Sequence, residues 1–294
     1  MTKKDTFPTP PNDWPLKAYK NGEFLNSPDG RIVRILAEFV EPNSRFIKND
    51  VSNTIVFFGS ARVLPKKDAK ENLKVLEAQQ ARNKTSSPGL NKKIRAARKA
   101  LAMSQYYEDA MALAEKLTKW SMGIQEKKKQ FLICTGGGPG IMEAANRGAK
   151  KAGGTSIGLN ISLPMEQYSN PYISKEMAFE FHYFFVRKFW FAYMAKAMIV
   201  FPGGFGTMDE LFEILTLVQS RKTKKFLPII IYGTEFWDPI LNLQGLVERG
   251  TISKKDLTLF RFFDDVNSAY DYITTELSNY YLKPPSRWRP GAYL

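Results

Sequence analysis

Three times in this chain an apolar, β-rich run ends in a glycine-containing turn that leads into a helical pattern. Thr54-Ile-Val-Phe-Phe58 enters Gly59-Ser60-Ala61-Arg62. Phe131-Leu-Ile-Cys134 enters Thr135-Gly-Gly-Gly-Pro-Gly-Ile-Met-Glu143. Ala197-Met-Ile-Val-Phe201 enters Pro202-Gly-Gly-Phe-Gly-Thr-Met-Asp-Glu210. Short apolar runs of this kind read as strands buried on both faces, and strands alternating with helices build a parallel sheet covered on both sides. Thr155–Leu159 and Leu227–Tyr232 supply two more strands. Phe179–Phe184 and Leu259–Phe263 are candidates for others. The spacing predicts helices near 104–121, 140–152, 185–195, 207–220, 236–248 and 266–281. The expected fold is α/β: a doubly wound, Rossmann-like parallel sheet with helices on both faces.

The 294 residues, 44% of them hydrophobic, suit one such domain with additions rather than two domains. Residues 1–50 read as an N-terminal arm with a docking helix at Arg31–Phe39, 51–282 as the sheet domain, and 283–294 as a C-terminal tail. Within the domain, residues 65–103 form a basic insert between the first strand and its helix. They are expected to fold as a helical hairpin, or as a helix and a mobile loop, broken at Thr85-Ser-Ser-Pro-Gly89. Lys66–Lys99 holds eleven cations against three acids, more than half of the net charge of +14. That surplus reads either as a solvated surface or as an electrostatic collar for a polyanion.

A single cysteine, Cys134, and a single histidine, His182, exclude a disulfide framework, a multi-Cys zinc site and any site needing two histidines. No metal and no cofactor is expected, and Cys134 is read as core. The most apolar stretch, Phe179–Phe201, carries Glu180, Arg187, Lys188 and Lys196, so it is no membrane span. The N-terminus shows no apolar signal-peptide core, and the chain is expected to be soluble and cytoplasmic.

In an open parallel sheet, turns at the C-terminal strand ends line one crevice where ligands bind. Helix N-termini there present free N–H groups and partial positive charge, which suit phosphate. One glycine turn is explained by geometry alone, but three on one edge point to a nucleotide or sugar-phosphate site. None is a Walker A loop, and none fits the dinucleotide fingerprint. Thr207-Met-Asp-Glu210 also reads as a capping box, with Thr207 as N-cap, and the helix N-terminus is expected to keep Glu210 ionised. Arg187-Lys188 interrupts the aromatic stretch His182–Phe191, either as an exposed helix face or as anion ligands.

The Arg187-Lys188 pair followed by Pro-Gly-Gly-Phe-Gly-Thr-Met-Asp-Glu210 resembles the signature of the LOG ("lonely guy") family of cytokinin-activating phosphoribohydrolases, Pro-Gly-Gly-x-Gly-Thr-x-x-Glu. The other two glycine turns resemble its remaining loops in the same order, over about residues 50–250. The resemblance implies hydrolysis of the N-glycosidic bond of a nucleoside 5′-monophosphate, AMP or a cytokinin nucleotide, to free base and ribose 5-phosphate. It implies Arg187 and Glu210 as the catalytic pair, and Gly203, Gly204, Gly206 and Thr207 around the phosphate. Gly59, Ser60, Gly137, Gly138 and Lys188 complete the expected binding set. Glu143 is a candidate for protonating the leaving base. The resemblance also implies a homodimer or larger homo-oligomer. Short plant-type members carry an acidic residue before the Arg-Lys pair, where this chain has Val186. They carry Met three residues after it, where this chain has Phe191; both departures bear on base selectivity. Many members bear the label "possible lysine decarboxylase", yet no Ser-x-His-Lys pyridoxal phosphate motif is present here. A non-catalytic nucleotide sensor or carrier on the same fold is the second reading, and a nucleic-acid-binding protein the third. No RNP, helix-turn-helix or zinc-finger pattern accompanies the basic insert, and nucleic acid is set aside as a partner on that ground.

Overall fold

The computed structural model describes residues 14–82, 87–162 and 168–283. The start of the expected arm, Thr85 and Ser86 of the expected break at 85–89 and nearly all of the expected C-terminal tail lie outside them. The chain divides into two compact units, Met1–Asn43 and Ser44–Leu294.

The first unit contains α1 (Gly22–Asn26), capped by the Asn21 side chain, which accepts from Phe24 N–H at 3.1 Å. It also contains most of α2 (Arg31–Lys48). This helix runs past the expected end at Phe39, through Pro42. Its last turns are held within the second unit, where Phe46 is buried against Phe179 and Trp190 at ring separations of 4.9 and 5.3 Å.

The second unit is built on seven strands: β1 (Asn53–Phe58), β2 (Phe131–Thr135), β3 (Ser156–Ile161), β4 (Ala178–Phe181), β5 (Ala195–Val200), β6 (Ile229–Tyr232) and β7 (Arg261–Phe263). All pairs are parallel, in the order β4-β3-β2-β1-β5-β6-β7. The helices between them are α3 (Lys66–Arg82), α4 (Pro88–Met122), α5 (Ile141–Lys151), α6 (Phe184–Met194), α7 (Phe205–Gln219), α8 (Thr234–Trp237), α9 (Leu243–Glu248) and α10 (Val266–Leu277). Tyr107, Leu113 and Leu117 of α4 share one core with Ile141 and Ala144 of α5 and with Phe57 and Phe201 of the sheet. The Rossmann-like α/β reading holds, with both optional strands present.

Two helices depart from expectation. The segment 236–248 forms two short helices rather than one. Pro239 has no N–H to give and restricts the residue before it, and Asn242 starts a new helix by accepting from Gly245 N–H at 2.8 Å. The basic insert does not end at 103: α4 runs 35 residues without a break, so the second arm of the hairpin and the crossover helix are one element. No Gly or Pro falls between Leu90 and Met122, and the helix formers Ala, Lys, Arg and Leu fill the junction.

The strand order reverses between β1 and β5, and this switch positions the site. The pairing of Phe58 with Val200 brings the first and third glycine turns side by side. Ser60 N–H donates to Pro202 O at 2.9 Å, and Ile141 N–H donates to Ser60 O at 3.1 Å. The three turns are therefore laced together by backbone hydrogen bonds.

Candidate active site

A cavity of about 750 Å³ opens where the three turns meet. Gly59, Ser60 and Arg62 line it from the first turn, Gly136, Gly138 and Met142 from the second, and Gly203, Gly204, Gly206, Thr207 and Glu210 from the third. Arg187 reaches it from α6. Two expected residues do not line it: Gly137 and Lys188.

Gly137 lies behind the second turn, in a buried polar network that the sequence reading missed. Gly137 N–H donates to Thr135 Oγ1 at 2.9 Å, and Thr135 Oγ1 donates to Asn146 Oδ1 at 2.7 Å. Asn170 Nδ2 stands 3.0 Å from each of Gly137 O, Gly138 O and Asn146 Oδ1. Paired buried amides of this kind fix a loop, because leaving any of them unpaired costs about 1–3 kcal/mol.

The third turn starts α7 at Phe205 with Gly204 as N-cap and no side-chain cap. The capping-box expectation is corrected here. Thr207 lies inside the first turn, where its N–H bonds Gly204 O at 3.0 Å, and Glu210 lies in the next turn. The first N–H groups of α7 accordingly face the cavity mouth without a side-chain acceptor. Gly203 must remain glycine, since a Cβ there would come within 2.1 Å of Thr207 Oγ1. Gly204 and Gly206 differ, having nothing within 4 Å of a Cβ position. They leave the helix end open to an approaching anion.

Glu210 is buried, with Oε1 3.7 Å from Arg187 Nη2 and 3.9 Å from Lys188 Nζ. Burial outweighs both cations and raises its pKa to about 7. This corrects the expected full ionisation, which rested on the helix N-terminus alone. Burial also pulls Arg187 down, against the opposing pull of Glu210 and Asp209. The Arg187 guanidinium lies 5.3 and 5.5 Å from the rings of Phe184 and Phe191, and its buried Nε has no hydrogen-bond partner among the described residues. An arginine held by aromatic faces with an unmet donor is ready for an anion. Lys188 turns to carboxylates instead: Asp209 at 2.7 Å and Glu213 at 2.8 Å.

Glu143 does not line the cavity and accepts from Tyr107 O–H at 2.7 Å. His182 is exposed beside Tyr183 and does not line the cavity, while Cys134 is buried in β2. The sequence reading missed Asn160, Met103, Met142, Met208, Phe184 and Phe236, all of which line the cavity. Asn160 had a visible signal: a polar residue at the end of an apolar strand run. Phe191, the departure noted above, also lines the cavity, and Val186 is fully buried.

Fold and cavity together define an α/β parallel-sheet protein whose three glycine turns enclose a buried Glu–Arg pair. A family model described as "Possible lysine decarboxylase" matches residues 142–273. The pyrimidine/purine nucleotide 5′-monophosphate nucleosidase of Escherichia coli (strain K12) is 31% identical over 128 residues, 38% of this chain and 26% of that protein. The cytokinin riboside 5′-monophosphate phosphoribohydrolase LOG of Oryza sativa subsp. japonica is 29% identical over 155 residues, 51% of this chain and 59% of that protein. The chain thus spans about a quarter of the length of the first relative and 59% of the second. The structure of a molybdenum cofactor binding protein from Rippkaea orientalis aligns at a TM-score of 0.39 and 18% identity, covering 58% of this chain and 88% of that one. With its three motifs in family order, this chain is similar to members of the LOG family over part of its length. Among the described residues, no helix is long and apolar enough to cross a membrane.

Proposed function

We propose that this chain hydrolyses the N-glycosidic bond of a nucleoside 5′-monophosphate, AMP or a cytokinin nucleotide, releasing free base and ribose 5-phosphate. The observation that carries the reading is the buried Glu210 beside Arg187, set one helical turn from the open, glycine-lined start of α7. The phosphate takes the N–H groups at Gly204–Gly206 with Ser60 and Gly138 nearby, and Arg187 supplies charge through its unpartnered Nε. Anchoring the phosphate there holds the ribose against Glu210. As the C1′–N bond breaks, positive charge develops on the ribose, as in glycoside hydrolysis. Ionised Glu210 stabilises that cation and takes a proton from the attacking water, whose oxygen bonds C1′, while the leaving base takes a proton from solvent water and Glu210 then returns its own to solvent. A pKa near 7 suits a residue that must accept a proton at neutral pH. Phe184, Phe191 and Phe236 offer faces to the base. The exposed α6 side chains Phe185, Phe189 and Tyr193 supply an apolar stripe that supports a homodimer covering this face.

Lysine decarboxylation does not fit these residues. Pyridoxal phosphate needs a lysine for its Schiff base, and among the described residues no lysine lines the cavity.

The test is incubation of the purified chain with AMP, GMP, CMP, UMP and a cytokinin nucleotide, read by chromatography. Release of base and ribose 5-phosphate is expected, with Glu210→Gln lowering turnover about 100-fold or more while AMP still binds. Five intact nucleotides would overturn the hydrolase reading, and tight AMP binding without turnover would mark a carrier instead.

A further inference from the structure

One amide of the second glycine turn is left unpaired, and a residue far along the chain sets the direction in which it points. Gly137 O accepts twice from Asn170, from the backbone N–H at 2.8 Å and from side-chain Nδ2 at 3.0 Å. The Gly137–Gly138 peptide is trans. A trans peptide points its C=O and its N–H in opposite directions. The carbonyl is turned to Asn170, which does not line the cavity, so the N–H of Gly138, which does, is turned the other way. Gly138 is buried, yet its N–H has no hydrogen-bond acceptor among the described residues. Buried amides without an acceptor are rare, because each costs about as much as a lost hydrogen bond. The other donors of the turn are spent or missing: Gly137 N–H goes to Thr135 Oγ1, Ile141 N–H goes to Ser60 O, and Pro139 has none.

The clamp requires a side-chain amide. Asn170 Oδ1 accepts from Tyr172 N–H at 3.2 Å, while Nδ2 shares its two hydrogens among Gly137 O, Gly138 O and Asn146 Oδ1. A carboxylate at this position would have no hydrogen to give and would face three oxygens. Asn146 carries the anchor on to β3, donating to Ser156 Oγ at 3.0 Å and to Ile157 O at 3.3 Å. The direction of the Gly138 N–H is therefore tied to the sheet. Gly137 narrows the path further: its φ is +74°, and a Cβ there would come within 2.1 Å of Asn160 Oδ1. A donor fixed in this way needs no rearrangement when an anion arrives.

We infer that Asn170 is a positioning residue: it turns the Gly138 N–H into the cavity, where that donor holds an oxygen of the substrate phosphate. The inference rests on the nucleotide reading of the cavity. The first test is an NMR titration of the full chain, labelled with 15N-glycine, with ribose 5-phosphate; Gly138→Ala assigns the Gly138 cross-peak by its loss. The Gly138 amide proton is expected to move downfield on binding, while Gly250, which does not line the cavity, stays in place. In Asn170→Ala and Asn170→Asp the Gly138 movement should be lost. The KM for AMP should rise about tenfold or more in both variants, with kcat within about threefold, as for an interaction made equally in the ground and transition states. The proposal is overturned if ribose 5-phosphate binds the parent while the Gly138 amide stays in place, a result that needs no folded variant. It is also overturned if KM rises in Asn170→Asp alone, which would assign the effect to the added charge, or if kcat falls with KM unchanged. Ribose 5-phosphate bound through Gly138, with AMP left intact by the parent, would sink the hydrolase reading and leave this one standing.

Discussion

Arg187 Nη2 stands 3.7 Å from Glu210 Oε1, and the two side chains are only 14% and 6% exposed. The pair is too long for a hydrogen bond, so Arg187 only partly offsets the cost of burying the carboxylate. The net result is a carboxyl poised near neutrality, with its pKa raised from 4.5 to about 7.

This has a consequence for stability. A carboxyl whose pKa is higher in the folded state holds more protons folded than unfolded between pH 4.5 and about 7. Stability from this group is therefore greatest below that window and falls as pH rises through it. One pKa step is about 1.4 kcal/mol, so the ceiling is roughly 3 kcal/mol. Glu210→Gln, which cannot ionise, should flatten the change. Thermal melts of both proteins at pH 5 and pH 8 check it: wild type should lose more Tm between them than the variant.

Lys188 sits between Asp209, Glu213 and Glu210 at 2.7, 2.8 and 3.9 Å. It is the cation that most lowers the Glu210 pKa. Lys188→Met should therefore push Glu210 further up and move the rising limb of the turnover–pH profile to higher pH. Ribose 5-phosphate should bind nearly unchanged, because Lys188 does not line the cavity. A profile that stays in place, with ribose 5-phosphate binding lost, would instead make Lys188 a phosphate ligand.

The legible part of this protein was the part written in local pattern. Apolar runs ending in glycine turns foretold the parallel sheet, and the sheet's switch point then gathered Ser60, Gly138, Gly204 and Glu210 at one cavity. What escaped depended on contacts distant in sequence. The Glu210 pKa is set by burial under the turn and by Lys188, not by the helix start that the motif displays. Gly137 looked like a phosphate ligand from its place in Gly-Gly-Gly, but its carbonyl is bound to Asn170, 33 residues away. The unbroken α4 was hidden by composition, since the change from basic to mixed residues near 103 resembled a boundary that the backbone does not make.

The glycines of the third turn separate folding from binding. Gly203→Ala places a methyl group against Thr207 and should destabilise the protein by about 1–3 kcal/mol. Gly204→Ala meets nothing within 4 Å and should leave the Tm within a degree or two. Its methyl group instead occupies the approach to the α7 amides, and ribose 5-phosphate should bind about tenfold more weakly. Calorimetry with ribose 5-phosphate, paired with thermal melts, distinguishes the two effects.

Glu143 tests where the second proton donor lies. Its carboxylate accepts from Tyr107, a fully buried residue of α4, and it does not line the cavity. A hydrogen bond to a charged acceptor of this kind contributes about 1.5–3 kcal/mol. Tyr107→Phe and Glu143→Gln should therefore each lower stability by an amount of this order, and the double variant should lose less than the sum of the two. Turnover of AMP at saturation should stay within about twofold in all three, since neither residue touches the site. A drop in turnover of a hundredfold in Glu143→Gln, with Tyr107→Phe fully active, would place the carboxylate in the reaction and assign the leaving-base proton to it rather than to water.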